Sequence, residues 1–237
     1  MSRSEPWVLG MYRFFPRSLN IYVVTPPQED RVVLFGRESE GEYLRYSLNI
    51  PLCLWKISIY KNGWQTQTAV EEVFFLKNTP VTRTDNPDGY VNRNLYTVPM
   101  PNMYDEGGLC HGVVLVDDDI SIIACVNEAI EGFWSEPFND DITHAMLDNF
   151  ASRRFKARHP EIVGDYGIVN CERAFAFWEK EGVFPWARSH GYSTLKSWLR
   201  VRHITTLNPR PLMHERFREQ AIVIETTTPL PGTTTVV

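Results

Sequence analysis

The sequence predicts an α+β fold: an antiparallel sheet in meander order, packed with helices and followed by a helical C-terminal extension. Three observations carry that expectation. The first hundred residues hold consecutive short runs rich in β-branched and aromatic side chains. Residues 120–133 carry an apolar stripe at helical spacing. The last third returns to helical periodicity before a Thr- and Pro-rich end.

The strand runs follow in order. Residues 19–25 are β-branched and end at Pro26 and Pro27, and 31–35 form a short apolar run ended by Gly36. Residues 43–50, 52–60 and 65–76 come next. Between the last two lies Lys61-Asn62-Gly63, a hairpin signal, because Asn-Gly accepts the positive φ angles of tight turns that match strand twist. Short connections favour neighbours in space, hence a meander. Residues 78–94, with Asn86-Pro87-Asp88-Gly89 at their centre, read as an exposed loop. Residues 95–98 read as a final strand. Pro99 and Pro101 then exclude helix and weaken any ladder, so this stretch is expected to be irregular and ordered.

The helices are read from periodicity and punctuation. Ile122, Ile123, Val126 and Ile130 form one stripe, predicting a helix over 120–133 that ends at Ser135-Glu136-Pro137. Asp117, Asp118 and Asp119 precede it, where negative charge opposes the positive end of the helix dipole. Residues 141–158 read as a helix turning basic at its end, and 171–181 as one with Ala174, Phe175 and Trp178 on a common face. A last helix is predicted over 193–201, with Ser193 as its cap. Beyond Asn208 the composition can bury little, so a weakly held tail is expected.

Composition narrows the function classes. The 237 residues carry a net charge of −5 with both signs mixed, which argues against a nucleic-acid partner. With 43% hydrophobic residues the chain can build a core, yet no apolar run reaches the ~18 residues of a membrane span. The N-terminus shows no apolar segment of signal-peptide length, so a cytoplasmic protein is expected. Cys53, Cys110, Cys125 and Cys171 form no Cys-x-x-Cys pair, and the six histidines show no metal-ligand spacing, so neither metal nor other cofactor is expected. Free thiols fit better than disulfides.

Cys110 stands apart from the other three cysteines. Gly107, Gly108 and Gly112 surround it, and the segment enters from a proline-held turn, which suits an accessible thiol. Cys53 lies in a strand run, and Cys125 and Cys171 lie in helical segments, so these read as packing. His111 adjoins Cys110, and adjacent side chains point apart, which makes it a poor base for that thiol. A cysteine hydrolase would need His144 or His190 brought close, a reading ranked below a thioester-forming cysteine.

Asn102 lies eight residues before Cys110. With Pro101, Asn102, Gly107 and Cys110 at their offsets, the chain resembles the ubiquitin-conjugating enzyme (UBC-like) superfamily, whose His-Pro-Asn turn precedes the catalytic cysteine by that interval. Met100 stands where the family has its largely structural histidine. The later stretch Glu131-Gly132-Phe133-Trp134-Ser135-Glu136-Pro137-Phe138-Asn139-Asp140-Asp141 is similar to the family's helix end and Pro-Asn-x-Asp-Asp segment, with one residue inserted between Pro137 and Asn139. The likeness covers roughly residues 19–150. A short stretch after Cys110 without the usual tryptophan, no helix before Leu19 and a helical last third look more like the bacterial conjugating-enzyme-like proteins, such as the plasmid- and phage-associated PRTRC system protein B family.

The resemblance implies a four-stranded UBC-like meander and a division into an N-terminal segment (1–18), a UBC-like domain (19–150), a helical extension (151–208) and a Thr/Pro-rich tail (209–237). It implies that Cys110 carries a ubiquitin-like protein as a thioester, received from a ThiF-like adenylating enzyme and passed to an amine of a protein substrate. Asn102 would donate to the oxyanion, and Asp141, or Asp140 given the insertion, would orient the attacking lysine. The alternatives are a non-catalytic UBC-like binding module and a phage or plasmid structural or assembly protein. From the residues alone, Asn102 serves equally as a turn former and Asp140-Asp141 as a helix-start signal.

Overall fold

A computed structural model describes residues 6–13, 18–36, 41–62, 65–76, 93–104, 108–109, 114–116, 120–139, 153–182, 194–201 and 210–211. The strands are β1 (Trp7–Arg13), β2 (Ser18–Thr25), β3 (Gln28–Phe35), β4 (Leu44–Ile50), β5 (Cys53–Asn62), β6 (Gln65–Leu76), β7 (Leu95–Thr97), β8 (Val114–Val116) and β9 (Arg210–Pro211). The α-helices are α1 (Ile122–Ser135), α2 (Arg153–Arg158), α3 (Cys171–Glu181) and α4 (Leu195–Val201). The result is a mixed α+β architecture around a seven-stranded antiparallel sheet in the order β7-β6-β5-β2-β1-β9, with β8 also on β6.

The membership of the meander differs from the sequence expectation. Among the described residues the runs at 31–35 and 43–50 do not join the main sheet; β3 and β4 pair with each other as a two-stranded sheet, and Phe35 adds an isolated parallel bridge to Phe138. β2 instead pairs along its length with β5, from Ser18↔Tyr60 to Thr25↔Cys53. Pro26 and Pro27 explain the departure, since neither can donate to a ladder and the chain must leave the sheet there. Burial agrees. β2 buries both faces, whereas β3 buries only Val33 and Phe35. The four consecutive neighbours are β1, β2, β5 and β6, with the β3–β4 hairpin inserted between the second and third. β1 lies within the first eighteen residues, and its alternation is obscured by a register shift between Val8 and Gly10.

Each face of the sheet has its own core. Leu19, Ile21 and Val23 of β2, with Cys53, Trp55, Ile57 and Ile59 of β5, face α1, α3 and the hairpin. Tyr22, Val24, Leu54, Phe74 and Leu76 face the other way, onto Leu195, Trp198 and Leu199 of α4. In β6, Val70 and then Val73 and Phe75 point to the first core, a spacing that strict alternation forbids. The register shifts between Lys56↔Glu72 and Ile57↔Val70, so Glu71 is bulged and restores the phase.

The helix ends carry corrections of their own. Ser121 caps α1 by accepting from the Ala124 N–H, and no acidic residue lies in the first turn. Residues 117–119 lie outside the described residues, as do 140–152, the start of the helix predicted over 141–158. α3 has the predicted bounds, with Asn170 as its cap and Gly182 at φ 70 closing it. The predicted cap Ser193 also lies outside the described residues; Thr194 Oγ1 accepts from the Ser197 N–H at 3.2 Å and fills that role. No described helix is long and apolar enough to cross a membrane. The loop predicted at 78–94 and the tail beyond Pro211 lie outside the described residues, apart from Arg93 and Asn94.

Candidate functional site

The loop expected to carry the chemistry leaves β7 and returns beside β6. β7 pairs with the far end of β6, from Phe74↔Thr97 to Leu76↔Leu95. Val98 and Met100 are then fully buried and hold the irregular stretch against the sheet. Met100, where the resembled family has histidine, is thus a packing residue. Pro101 and Asn102 form a turn, and Asn102 has φ 65. Proline fixes the first central position of such a turn, and asparagine tolerates the left-handed second one. Met103 is fully buried on the far side, so the turn is anchored at both ends.

The chain then doubles back. Met103 bridges Leu109 in antiparallel fashion, Tyr104 N–H donates to the Gly108 carbonyl at 2.8 Å, and Gly108 bridges Glu72 of β6. Leu109 is half-buried against the first core. Further along, Val114–Val116 pairs with Thr66–Thr68 of the same strand. Both ends of the segment that contains Cys110 therefore border β6. Cys110 itself lies outside the described residues, as do Gly107 and Gly112. A Cβ on Gly108 would meet only ordinary contacts, the Tyr104 ring at 3.7 Å and the Glu71 carbonyl at 3.8 Å. Its role is the backbone pairing, and the lack of a side chain is not what the position demands.

Asn102 carries a second peculiarity. Its Oδ1 is buried and meets no hydrogen-bond donor among the described residues. An orphaned acceptor of this kind costs about 1–3 kcal/mol. A carboxamide held at such a turn can present its N–H group as a donor of fixed location.

Asp140 and Asp141 lie outside the described residues. The chain leading to them is fixed as far as Asn139. Phe138, the residue inserted relative to the resembled family, is buried, donates its N–H to the Leu34 carbonyl at 2.8 Å and accepts from Gly36 N–H at 2.9 Å. Its ring packs edge-on against Phe133 at 5.4 Å. Phe138 thus serves the hairpin contact.

The other three cysteines, Cys53, Cys125 and Cys171, are buried, in keeping with a packing role. Burial pushes the Cys53 thiol far above its ordinary range, with the Thr25 hydroxyl opposing weakly. Burial likewise pushes Cys125 up to about 12; its own backbone hydrogen bond opposes this and Glu128 adds to it. Such thiols hold their protons and are inert. Among the described residues no group of three or more His, Cys, Asp or Glu is placed to hold a metal.

Sequence reading missed Glu72. Its carboxylate is largely buried and receives Lys56 Nζ at 3.4 Å and Trp198 Nε1–H at 3.2 Å, while its backbone pairs with Gly108. The signal was present as two adjacent glutamates inside an apolar strand, a pattern that a bulge accommodates. No family model, no curated protein and no solved structure matches the chain.

Proposed function

We propose that the chain is a ubiquitin-like-protein conjugating enzyme of bacterial, phage or plasmid type. It carries its modifier as a thioester on Cys110 and transfers it to an amine. The observation that carries this reading is the Met103↔Leu109 bridge, which joins the residue after Asn102 to the residue before Cys110. Met103 and Leu109, six apart in sequence, are thereby tied by one backbone pairing, with Asn102 on a left-handed turn just before it. The run of β1, β2, β5 and β6 as antiparallel neighbours, followed by this loop and by α1, supports a UBC-like scaffold with an inserted hairpin.

In the reaction, the Cys110 thiolate attacks the adenylated C-terminal carbonyl of the modifier, forming the C–S bond and releasing AMP. A substrate amine then attacks the thioester carbonyl. The oxyanion accepts a hydrogen bond from the Asn102 carboxamide; the thiolate leaves as the amide bond forms, and the amine proton passes to solvent through Asp140 or Asp141. The partners are a ubiquitin-like protein, a ThiF-like adenylating enzyme and a protein substrate.

Incubation with an adenylating enzyme, modifier and ATP tests this on a non-reducing gel. The expected product is a thiol-sensitive adduct that disappears in Cys110→Ala. An adduct that survives the substitution, or none with any adenylating enzyme encoded beside the gene, overturns the reading.

A further inference from the structure

The second face of the sheet also bears on the loop, whose Val98, Met100 and Met103 lie in the first core. α4 is linked to both arms of that loop, each through one intermediate residue. At its first residue, Leu195 N–H donates to the Arg93 carbonyl at 2.9 Å, two residues before β7, the strand that runs into Pro101 and Asn102. One turn later, Trp198 Nε1–H donates to Glu72 Oε2 at 3.2 Å, and the Glu72 backbone pairs with Gly108 on the arm that runs into Cys110. Trp198 is fully buried, edge-on to Tyr22 at 5.4 Å and Phe74 at 5.8 Å, so its indole has little freedom. Lys56, the cross-strand neighbour of Glu72, holds the other carboxylate oxygen at 3.4 Å. The bulge at Glu71 lies beside this carboxylate, at a point of β6 where the ladder is already irregular and can shift.

We propose that Glu72 is a positioning residue that couples the docking of α4 to the Asn102–Cys110 loop. The Trp198 indole and the Lys56 ammonium hold the Glu72 side chain on one face of β6. That sets the rotation of the bulged strand, and the rotation fixes where Gly108 and Leu109 lie against the Pro101-Asn102 turn. The extension helix thereby takes part in presenting the loop, beyond covering apolar surface. The catalytic consequence rests on the conjugating-enzyme reading; the structural coupling does not.

Hydrogen exchange of the full chain separates the two. In Glu72→Val, amide exchange over residues 93–109 should quicken by about tenfold, while Glu72→Gln, which keeps an acceptor for the indole, stays within about threefold of wild type. Trp198→Phe, which keeps a ring and deletes the N–H, should behave like Glu72→Val. Val169→Ala, in the first core, serves as a control for general loosening and should leave the loop unchanged. Exchange in Glu72→Val no faster than in the Val169 control overturns the coupling. Quickened exchange in a chain that forms no thioester leaves the coupling standing and removes the conjugating reading. Where a thioester forms, the transfer kcat of Glu72→Val should fall with KM for the amine unchanged.

Discussion

Asn102 meets several demands at one position. It must accept a φ of 65, follow a proline and leave its Oδ1 buried without a donor among the described residues. Glycine would satisfy the backbone and remove the carboxamide, so Asn102→Gly separates folding from chemistry. On the conjugating-enzyme reading proposed above, Tm should hold, thioester formation should persist, and single-turnover transfer to an amine should slow by about 10²–10³. A variant that loses its thioester as readily as its transfer would put the residue in the fold instead. The thiols allow a second residue-level test. The folded Cys125 thiol titrates near 12 against an ordinary value of 9.0, so the folded state holds its proton where the unfolded chain releases it. Its contribution to stability is present below pH 9 and is lost as pH rises from 9 through 12. Tyr46, pushed up to about 12 chiefly by burial and then by Glu172, Glu179 and Cys171, acts with the same sign. Tm should fall over that window, and less steeply in Cys125→Ala.

Gly132 of α1 shows what an element gives up for its neighbours. A Cβ there would come within 3.1 Å of Val114 Cγ2 on β8, the strand that follows the Cys110 segment. Glycine within a helix forgoes about 1 kcal/mol relative to alanine, so the close approach of β8 is kept at that cost. Gly132→Ala should therefore be more stabilising in a Val114→Ala background than in wild type, by about 0.5–1 kcal/mol in denaturant unfolding. Additive effects would show that β8 does not rest on the helix. The cap of α1 is a simpler case. Ser121→Ala leaves the Ala124 N–H without its acceptor and should lower unfolding stability by about 1 kcal/mol. The hairpin is tied to α1 by the bidentate pair of Arg31 with Glu131, at 2.7 and 3.1 Å, and by the Arg31 guanidinium over Trp134. Glu131 is mostly exposed, so its pair with Arg31 contributes little beyond orientation.

At the scale of the molecule, one sheet separates two cores of unequal size. The first joins residues from β2 as far as Trp178 of α3, so that helix shares the interior of the strands. The second depends on α4, whose Leu195, Trp198 and Leu199 cover Leu54, Phe74, Leu76 and Leu95. Burying three such side chains is worth roughly 5 kcal/mol, comparable to the net stability of a domain. A chain ending at residue 193 should bind a hydrophobic dye and lose a single cooperative thermal transition. A sharp transition with no dye binding would show that the second face is stable uncovered.

Much of the architecture was legible in the sequence, because it rests on local signals. Runs of β-branched and aromatic residues marked β2, β5 and β6, the Asn-Gly signal marked the β5–β6 hairpin although Lys61 and Asn62 belong to the paired end of β5, and apolar spacing marked α1 and α3, whose Ala174, Phe175 and Trp178 are all buried. Pro101 and Asn102 announced a turn because proline and asparagine meet its backbone angles without help. What sequence could not assign was partnership. That β2 skips the hairpin to reach β5 and that Glu72 joins Gly108 to Trp198 each depends on groups far apart in the chain, whereas β1 pairs with the neighbouring β2 across a register shift that breaks its pattern. Periodicity states which face of an element is apolar. Which surface that face meets is decided by packing both sides of the sheet at once, and only the tertiary structure does that.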